Sequence, residues 1–280
     1  MRFGLVINSC LIFMKKKTIL LGSIIALAFV ACQKVPITGR RQVSLIPESE
    51  MIGMSLTNYS AFLSKNPAVS ETDANAKLVK KVGGDMQKAV EAFMKEKGLS
   101  SRLDGYKWEF NLVNENTVNA WCMPGGKVVV YSGLLPVTQT EAALACVMGH
   151  EIAHAVARHG NERMSQGLLV QAGGVALSVA LSNKPQLTQD VFMQSYGVSS
   201  QLGILKYSRT HESEADKMGL VFMAIAGYDP TEAIAFWERM SKLSVGKKPP
   251  ELLSTHPSDE TRIANIKAFL PEAMKYYKKK

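Results

Sequence analysis

Three residues combine types and spacing that can activate water: His150, Glu151 and His154, in the run Gly149-His150-Glu151-Ile152-Ala153-His154. Residues four apart on a helix share a face, so both imidazoles can point at one ion. Neutral histidine nitrogens bind zinc at about 2.0–2.1 Å, and a catalytic zinc keeps one position open for water. Glu151 stands beside the first histidine, where its carboxylate can hold that water and take its proton. A bound metal lowers the pKa of water toward ~7, which makes a carboxylate an adequate base.

The flanking sequence supplies a helix for this string. Thr138-Gln139-Thr140-Glu141 reads as a capping box opening a helix that runs to His159, with Gly160 placed to end it. Two histidines need a third protein ligand, and the candidates downstream lie in Arg209-Thr210-His211-Glu212-Ser213-Glu214-Ala215-Asp216. Glu212 and Asp216 share a helix face, while Glu214 points elsewhere. Glu212 is placed to ligate, and Asp216 to accept a hydrogen bond from a ligating imidazole. A solvated acidic helix face has the same spacing, and spacing alone does not separate the two. His159 follows His154 by five residues, a rotation of about 140° that takes it off the metal face toward a structural or capping role. His211 points about 100° away from its neighbour Glu212, so Glu212 is preferred as the ligand. Phe236 and Trp237 read as core residues.

Other elements frame this pair of helices. Apolar spacings of three and four predict helices from Pro47 to about Leu63 and from Asp73 to about Lys97. Tyr106, Trp108, Phe110 and Leu112 alternate with polar residues as in a half-buried strand. Thr117 to Met123 reads as a second strand, Pro124-Gly125-Gly126 as a turn, and Lys127 to Tyr131 as a buried strand. Later helices are expected over 207–227, 230–244 and 258–269. Residues 167–182 are strongly apolar but broken by Gln171, and read as a core helix or as an interfacial helix touching a bilayer.

The N-terminus reads as a targeting segment. Lys15-Lys16-Lys17 precede an apolar run from Ile19 to Val30, and Ala31-Cys32 follows. Met14 before the lysines looks like the natural start, which makes residues 1–13 an upstream mis-start. The pattern resembles a bacterial lipoprotein signal with lipidation at Cys32, although Phe29 stands where leucine is commonest. Gln33 after the cysteine favours outer-membrane sorting, facing the periplasm. Residues 32–46 then read as a lipid-anchored tether and 47–280 as the working domain. The formal charge of +9 includes Arg2, Lys15, Lys16 and Lys17 in the targeting segment and Lys278-Lys279-Lys280 at the end. Such a distribution argues against nucleic acid as a partner. Cys122 and Cys146 are too few for a disulfide framework, and Cys146 reads as a buried thiol.

Taken in order, HEIAH at 150–154, ESEAD at 212–216, Thr255-His256-Pro257 and Arg262 resemble the gluzincin zinc metallopeptidases, the family of the CAAX prenyl proteases and of the HtpX-like and BepA-like peptidases. Asn119 to Gly126 and Ser132-Gly133-Leu134-Leu135 come close to its strand-and-turn signature. The resemblance covers most of residues 40–270. It implies one zinc ion held by His150, His154 and Glu212, with Glu151 as general base and Asp216 behind the ligands. It places His256 at the cleft, closing the open metal position or stabilising the oxyanion, and gives Arg262 a positive charge for the tetrahedral intermediate. Substrate would lie extended along the strand around 117–123.

The expected fold is α+β: a mostly helical, zincin-like metalloprotease domain with one small mixed β-sheet beside the active-site helix. The expected function is hydrolysis of internal peptide bonds in unfolded or misassembled cell-envelope proteins, at a bacterial outer membrane. An alternative is an envelope chaperone or assembly factor with a self-inhibited zinc site. Prenyl-peptide processing fits poorly, because the several membrane spans of its best-known agents have no counterpart in the apolar pattern.

Overall fold

The computed structural model describes residues 32–172, 207–243, 252–253, 256 and 260–279. The targeting segment 1–31, residues 173–182 of the apolar stretch, Pro249-Pro250, Thr255, Pro257 and Lys280 lie outside them. The described residues begin with a hairpin, β1 (Cys32–Lys34) paired antiparallel to β2 (Arg41–Val43). Helices α1 (Glu48–Lys65) and α2 (Ala74–Glu96) follow, then strands β3 (Glu109–Val113), β4 (Ala120–Met123) and β5 (Lys127–Tyr131). Among the described residues the longer helices that follow are α3 (Glu141–Ala157), α4 (His159–Ala172), α5 (Arg209–Ile225), α6 (Glu232–Lys242) and α7 (Glu260–Ala273). The fold is α+β and mostly helical. No helix among the described residues is long and apolar enough to cross a membrane.

The three-stranded sheet is mixed, in the order β3-β5-β4. Central β5 runs parallel to β3, with Glu109 opposite Lys127, and antiparallel to β4, with Trp121 opposite Val129. Side chains alternate across a strand, so each face has its own set. Ala120, Cys122, Val128 and Val130 pack into the main core with α2 and α3, while Trp121, Met123, Val129 and Tyr131 pack with Met51 and Tyr59 of α1. Burial on both faces is why β5 reads as an unbroken apolar run. The strand expected from Tyr106 begins only at Glu109. Trp108 instead lies against Gly126 (φ 79°), where a Cβ would come 2.6 Å from its Cε3.

Helix α3 is buried without a break from Ala143 to Ala157, the condition of a helix packed on all sides. Its N-cap is Thr140, whose hydroxyl accepts from Ala143 N at 3.1 Å, two residues later than the capping box implied. Its end also differs from expectation. Arg158 adopts φ 62° and stops the helix, and α4 restarts at His159 with Gly160 inside it. Residues 32–46, expected as a tether, are folded: Val35 and Ile46 are buried, and Gln42 Nε2 donates to Ala157 O at 2.7 Å.

Helices α3 and α5 meet where each carries a glycine. A Cβ on Gly219 would lie 2.9 Å from His150 N and 3.0 Å from Gly149 C. Both neighbours are backbone and cannot swing aside, so this approach requires glycine. Gly219→Ala is expected to push the helices apart and destabilise the chain by ~1–3 kcal/mol in urea unfolding. An unchanged midpoint would contradict this packing.

Candidate metal centre

Four segments deliver one cluster. Helix α3 supplies His150, Glu151 and His154, α5 supplies Glu212 and Asp216, and α7 supplies Arg262. His256 comes from the segment after residues 252–253, where its amide donates to Leu252 O at 2.8 Å. His154 Nε2 lies 3.1 Å from His150 Nε2. His256 Nδ1 lies 3.2 Å from His150 Nε2 and 2.9 Å from Glu212 Oε1. Glu212 also faces both α3 histidines, at 3.4 Å from His150 Nε2 and 3.5 Å from His154 Nε2. One ligand atom from each of His150, His154, Glu212 and His256 lies within 4.8 Å of the other three.

This donor set fits zinc. Three imidazoles and a carboxylate are ligands that a tetrahedral zinc ion takes. All four side chains are buried, where polar groups are costly unless paired. Yet Glu212 Oε2 has no hydrogen-bond partner and meets Arg262 Nη1 only as an ion pair at 3.1 Å. Glu151 Oε1 is likewise buried without a hydrogen bond, 3.6 Å from His256 Nε2. A cation among these atoms would satisfy the inward-facing lone pairs together.

The electrostatics separate the two glutamates. Burial pushes the Glu151 carboxyl up to about 7 against the attraction of His256, the range of a base at neutral pH. Burial also pushes on Glu212, but His256 and Arg262 outweigh it and hold this carboxyl well below its ordinary value. For His154, burial lowers the pKa and keeps the ring neutral, the form that offers a lone pair.

Each α3 histidine is backed by a partner. His150 Nδ1 lies 3.0 Å from Asp216 Oδ1. Arg262 grips that carboxylate through Nε at 2.9 Å and Nη2 at 2.7 Å. With Nε2 kept as the acceptor a metal needs, His150 Nδ1–H donates to Asp216. Behind His154 stands His159, the two Nδ1 atoms 3.0 Å apart, and His159 Nε2 lies 3.1 Å from Glu214 Oε2.

Asp216, His256 and Arg262 all lie against His150, with Asp216 Oδ1 3.0 Å and Arg262 Nη2 3.2 Å from its Nδ1 and His256 Nδ1 3.2 Å from its Nε2. Arg262 is buried, bound to Asp216, ion-paired with Glu212 Oε2 at 3.1 Å, donating to His256 O at 3.2 Å and stacked 3.5 Å from the centroid of Trp237. His159 lies outside the cluster in a structural role, as expected, but its contact with His154 was not foreseen, because the sequence reading assumed one continuous helix and the left-handed Arg158 breaks that phase. Glu214 points away from the cluster as expected, but toward His159. Its signal was present as a third acidic residue within five positions, without anything to say what it faced. His211 is not in the cluster and pairs with Glu162 at 2.9 Å.

A buried helix with HExxH, crossed by a second helix that brings a glutamate to the same point, defines a gluzincin-type metallopeptidase site. Residues 80–270, more than half of the chain, match Peptidase family M48, and the chain belongs to that family. It is 38% identical over 175 residues to the mitochondrial metalloendopeptidase OMA1 of Schizosaccharomyces pombe, covering 62% of this chain and 50% of that protein. Against the mitochondrial metalloendopeptidase OMA1 of Homo sapiens the identity is 31% over 248 residues, 86% of this chain and 46% of that one. The beta-barrel assembly-enhancing protease of Escherichia coli is more distant, at 29% over 165 residues, 57% of this chain and 34% of that one. The chain thus spans about half the length of the OMA1 relatives it matches. These matches correct the expected bacterial outer-membrane location, since the stronger ones are to mitochondrial proteins of eukaryotes.

Proposed function

We propose that this chain is a zinc-dependent metalloendopeptidase in which His150, His154 and Glu212 hold the ion and Glu151 is the general base. The observation that carries the reading is the convergence of these ligand atoms beside a buried carboxyl raised to about 7. When bound there, zinc supplies Lewis acidity for the scissile carbonyl and acidifies water. Glu151 takes a proton from the attacking water and passes it to the leaving amide nitrogen. Asp216, held by Arg262, fixes the tautomer of His150. Burial of the site keeps bulk water from competing with the substrate carbonyl.

We propose unfolded or misassembled protein segments as substrates, bound extended along β4. This strand is an edge of the three-stranded sheet, and edge strands can bind peptides through backbone hydrogen bonds with little demand on sequence. A second reading, a chaperone or assembly factor with a self-closed site, is favoured by one observation. His256 Nδ1 stands among the ligand atoms, and Leu252 N of the same segment donates to Val118 O at 3.2 Å, just before β4. Lipid attachment at Cys32 is proposed from the targeting pattern alone. Incorporation of labelled fatty acid that is lost in Cys32→Ser is its expected signature, and unchanged labelling would refute it.

The activity is tested with the purified full chain and casein. Chelator-sensitive cleavage is expected, reduced ~10²–10⁴-fold in Glu151→Gln with zinc retained, and lost together with zinc in Glu212→Ala. Cleavage that survives in Glu151→Gln would refute the assignment of the base. Cleavage seen only in His256→Ala would favour the self-closed reading.

A further inference from the structure

We propose that Arg40, in the N-terminal hairpin, is a positioning residue for the metal ligand His154, acting through Glu214 and His159. The inference rests on the zinc reading above and adds to it an element that reads in sequence as a mere tether. A chain of contacts runs from the hairpin to the ligand residue His154.

Arg40 directs its guanidinium at two carboxylates at once. Its Nε and Nη2 donate to Glu214 Oε1 and Oε2, each at 2.9 Å. Nη1 and Nη2 donate to Glu162 Oε1 and Oε2 at 2.8 and 2.7 Å. The last donor of Nη1 reaches Arg41 O at 3.4 Å. Five donors in a planar fork are the whole capacity of an arginine, and lysine cannot reproduce two bidentate grips. Thr38 adds a hydroxyl donor to Glu214 Oε1 at 2.7 Å. Both carboxylates are buried, at 3% exposure for Glu214 and 4% for Glu162. Without the guanidinium their remaining partners would be the imidazoles of His159 and His211 and the Thr38 hydroxyl.

The hydrogen-bond directions along this relay follow from its end. A ligating His154 must keep Nε2 as a lone pair, so its proton sits on Nδ1 and is donated to His159 Nδ1. His159 then carries its own proton on Nε2 and donates it to Glu214. Glu214 can only accept, and Arg40 and Thr38 are the donors that hold it in that role. One arrangement of donors satisfies every member from Arg40 to His154. If the Glu214 carboxylate swings away, His159 loses the partner that fixes its tautomer and its ring, and His154 loses its backing. Histidine ligands are commonly held by such outer contacts, whose loss lowers metal affinity about 10–100-fold.

Among the described residues, the hairpin's hydrogen bonds to this relay come from Arg40 and Thr38. Its other anchors grip the end of the catalytic helix: Gln42 donates to Ala157 O, and Gln33 accepts from Arg158 Nη1 at 2.7 Å. Those contacts dock the hairpin without touching Glu214. Gln42→Ala is therefore a matched control, since it removes a buried hydrogen bond of the same hairpin and leaves the relay intact.

The test is zinc affinity of the full chain by competition with a chromogenic chelator, alongside thermal unfolding of the metal-free protein. Arg40→Ala is expected to weaken zinc binding ~10-fold, while Gln42→Ala lowers thermal stability and leaves zinc affinity unchanged. In a Glu214→Gln background, Arg40→Ala is expected to add no further loss, because the two act in series. Arg40→Lys keeps the charge and the stem without the double fork, is expected to weaken binding in the same direction, and serves if Arg40→Ala does not fold. Equal zinc affinity in Arg40→Lys and the unmodified chain, or an equal loss in Gln42→Ala, would overturn the proposal while leaving the zinc site standing. Failure of the unmodified chain to bind zinc would instead overturn the reading on which it rests.

Discussion

At Gly149 and Gly219 two helix backbones pass at van der Waals distance, and the rest of the structure is arranged around that contact. It sets α3 against α5 closely enough for Glu212 and Asp216 to reach the imidazoles of His150 and His154. A methyl group at either glycine would separate the helices by a few tenths of an ångström or more. Ligand geometry tolerates little of that, because carboxylate and imidazole donors must meet one ion at about 2 Å. The sheet and α2 enclose α3 from other sides, so the catalytic helix has no exposed face to relax toward.

Around this contact the chain concentrates ionisable groups that burial would otherwise disfavour. Each is matched by a neighbour. Arg262 compensates Asp216 and Glu212, and Arg40 compensates Glu162 and Glu214. The two arginines back different histidines, Arg262 through Asp216 to His150 and Arg40 through Glu214 and His159 to His154. Glu151 differs in that no arginine among the described residues pairs with it; it faces His256 at 3.6 Å, and burial raises its carboxyl toward neutrality. A buried group shifted toward neutrality in this way is the one the proposed mechanism uses as its base.

Much of this was legible in the sequence because it depends on local rules. Strand β5 coincides with its expected bounds from Lys127 to Tyr131, since a run of three valines buried on both faces leaves no ambiguity of period. The helices carrying HEIAH and ESEAD were legible for the same reason. What escaped depends on tertiary contacts. Arg158 takes a left-handed conformation with no glycine to announce it, and this re-aims His159 toward His154. Residues 32–46 contain Pro36 and Gly39, the composition of a linker, and their structural role emerges only from tertiary contacts: buried Val35 and Ile46, Gln42 on Ala157 O and the carboxylates that receive Arg40. The sequence shows Arg262 as a cation near the site but not its pairing with Asp216 and Glu212, which only the fold brings to it.

The central claim is that His150, His154 and Glu212, with His256 beside them, form a single zinc site. X-ray absorption at the zinc edge of the purified full chain tests it most directly. The account predicts one zinc per chain surrounded by nitrogen and oxygen at about 2.0–2.1 Å, with the multiple-scattering signature of imidazole. Absence of zinc, or a sulfur shell at about 2.3 Å that would place Cys122 or Cys146 on the metal, would contradict it.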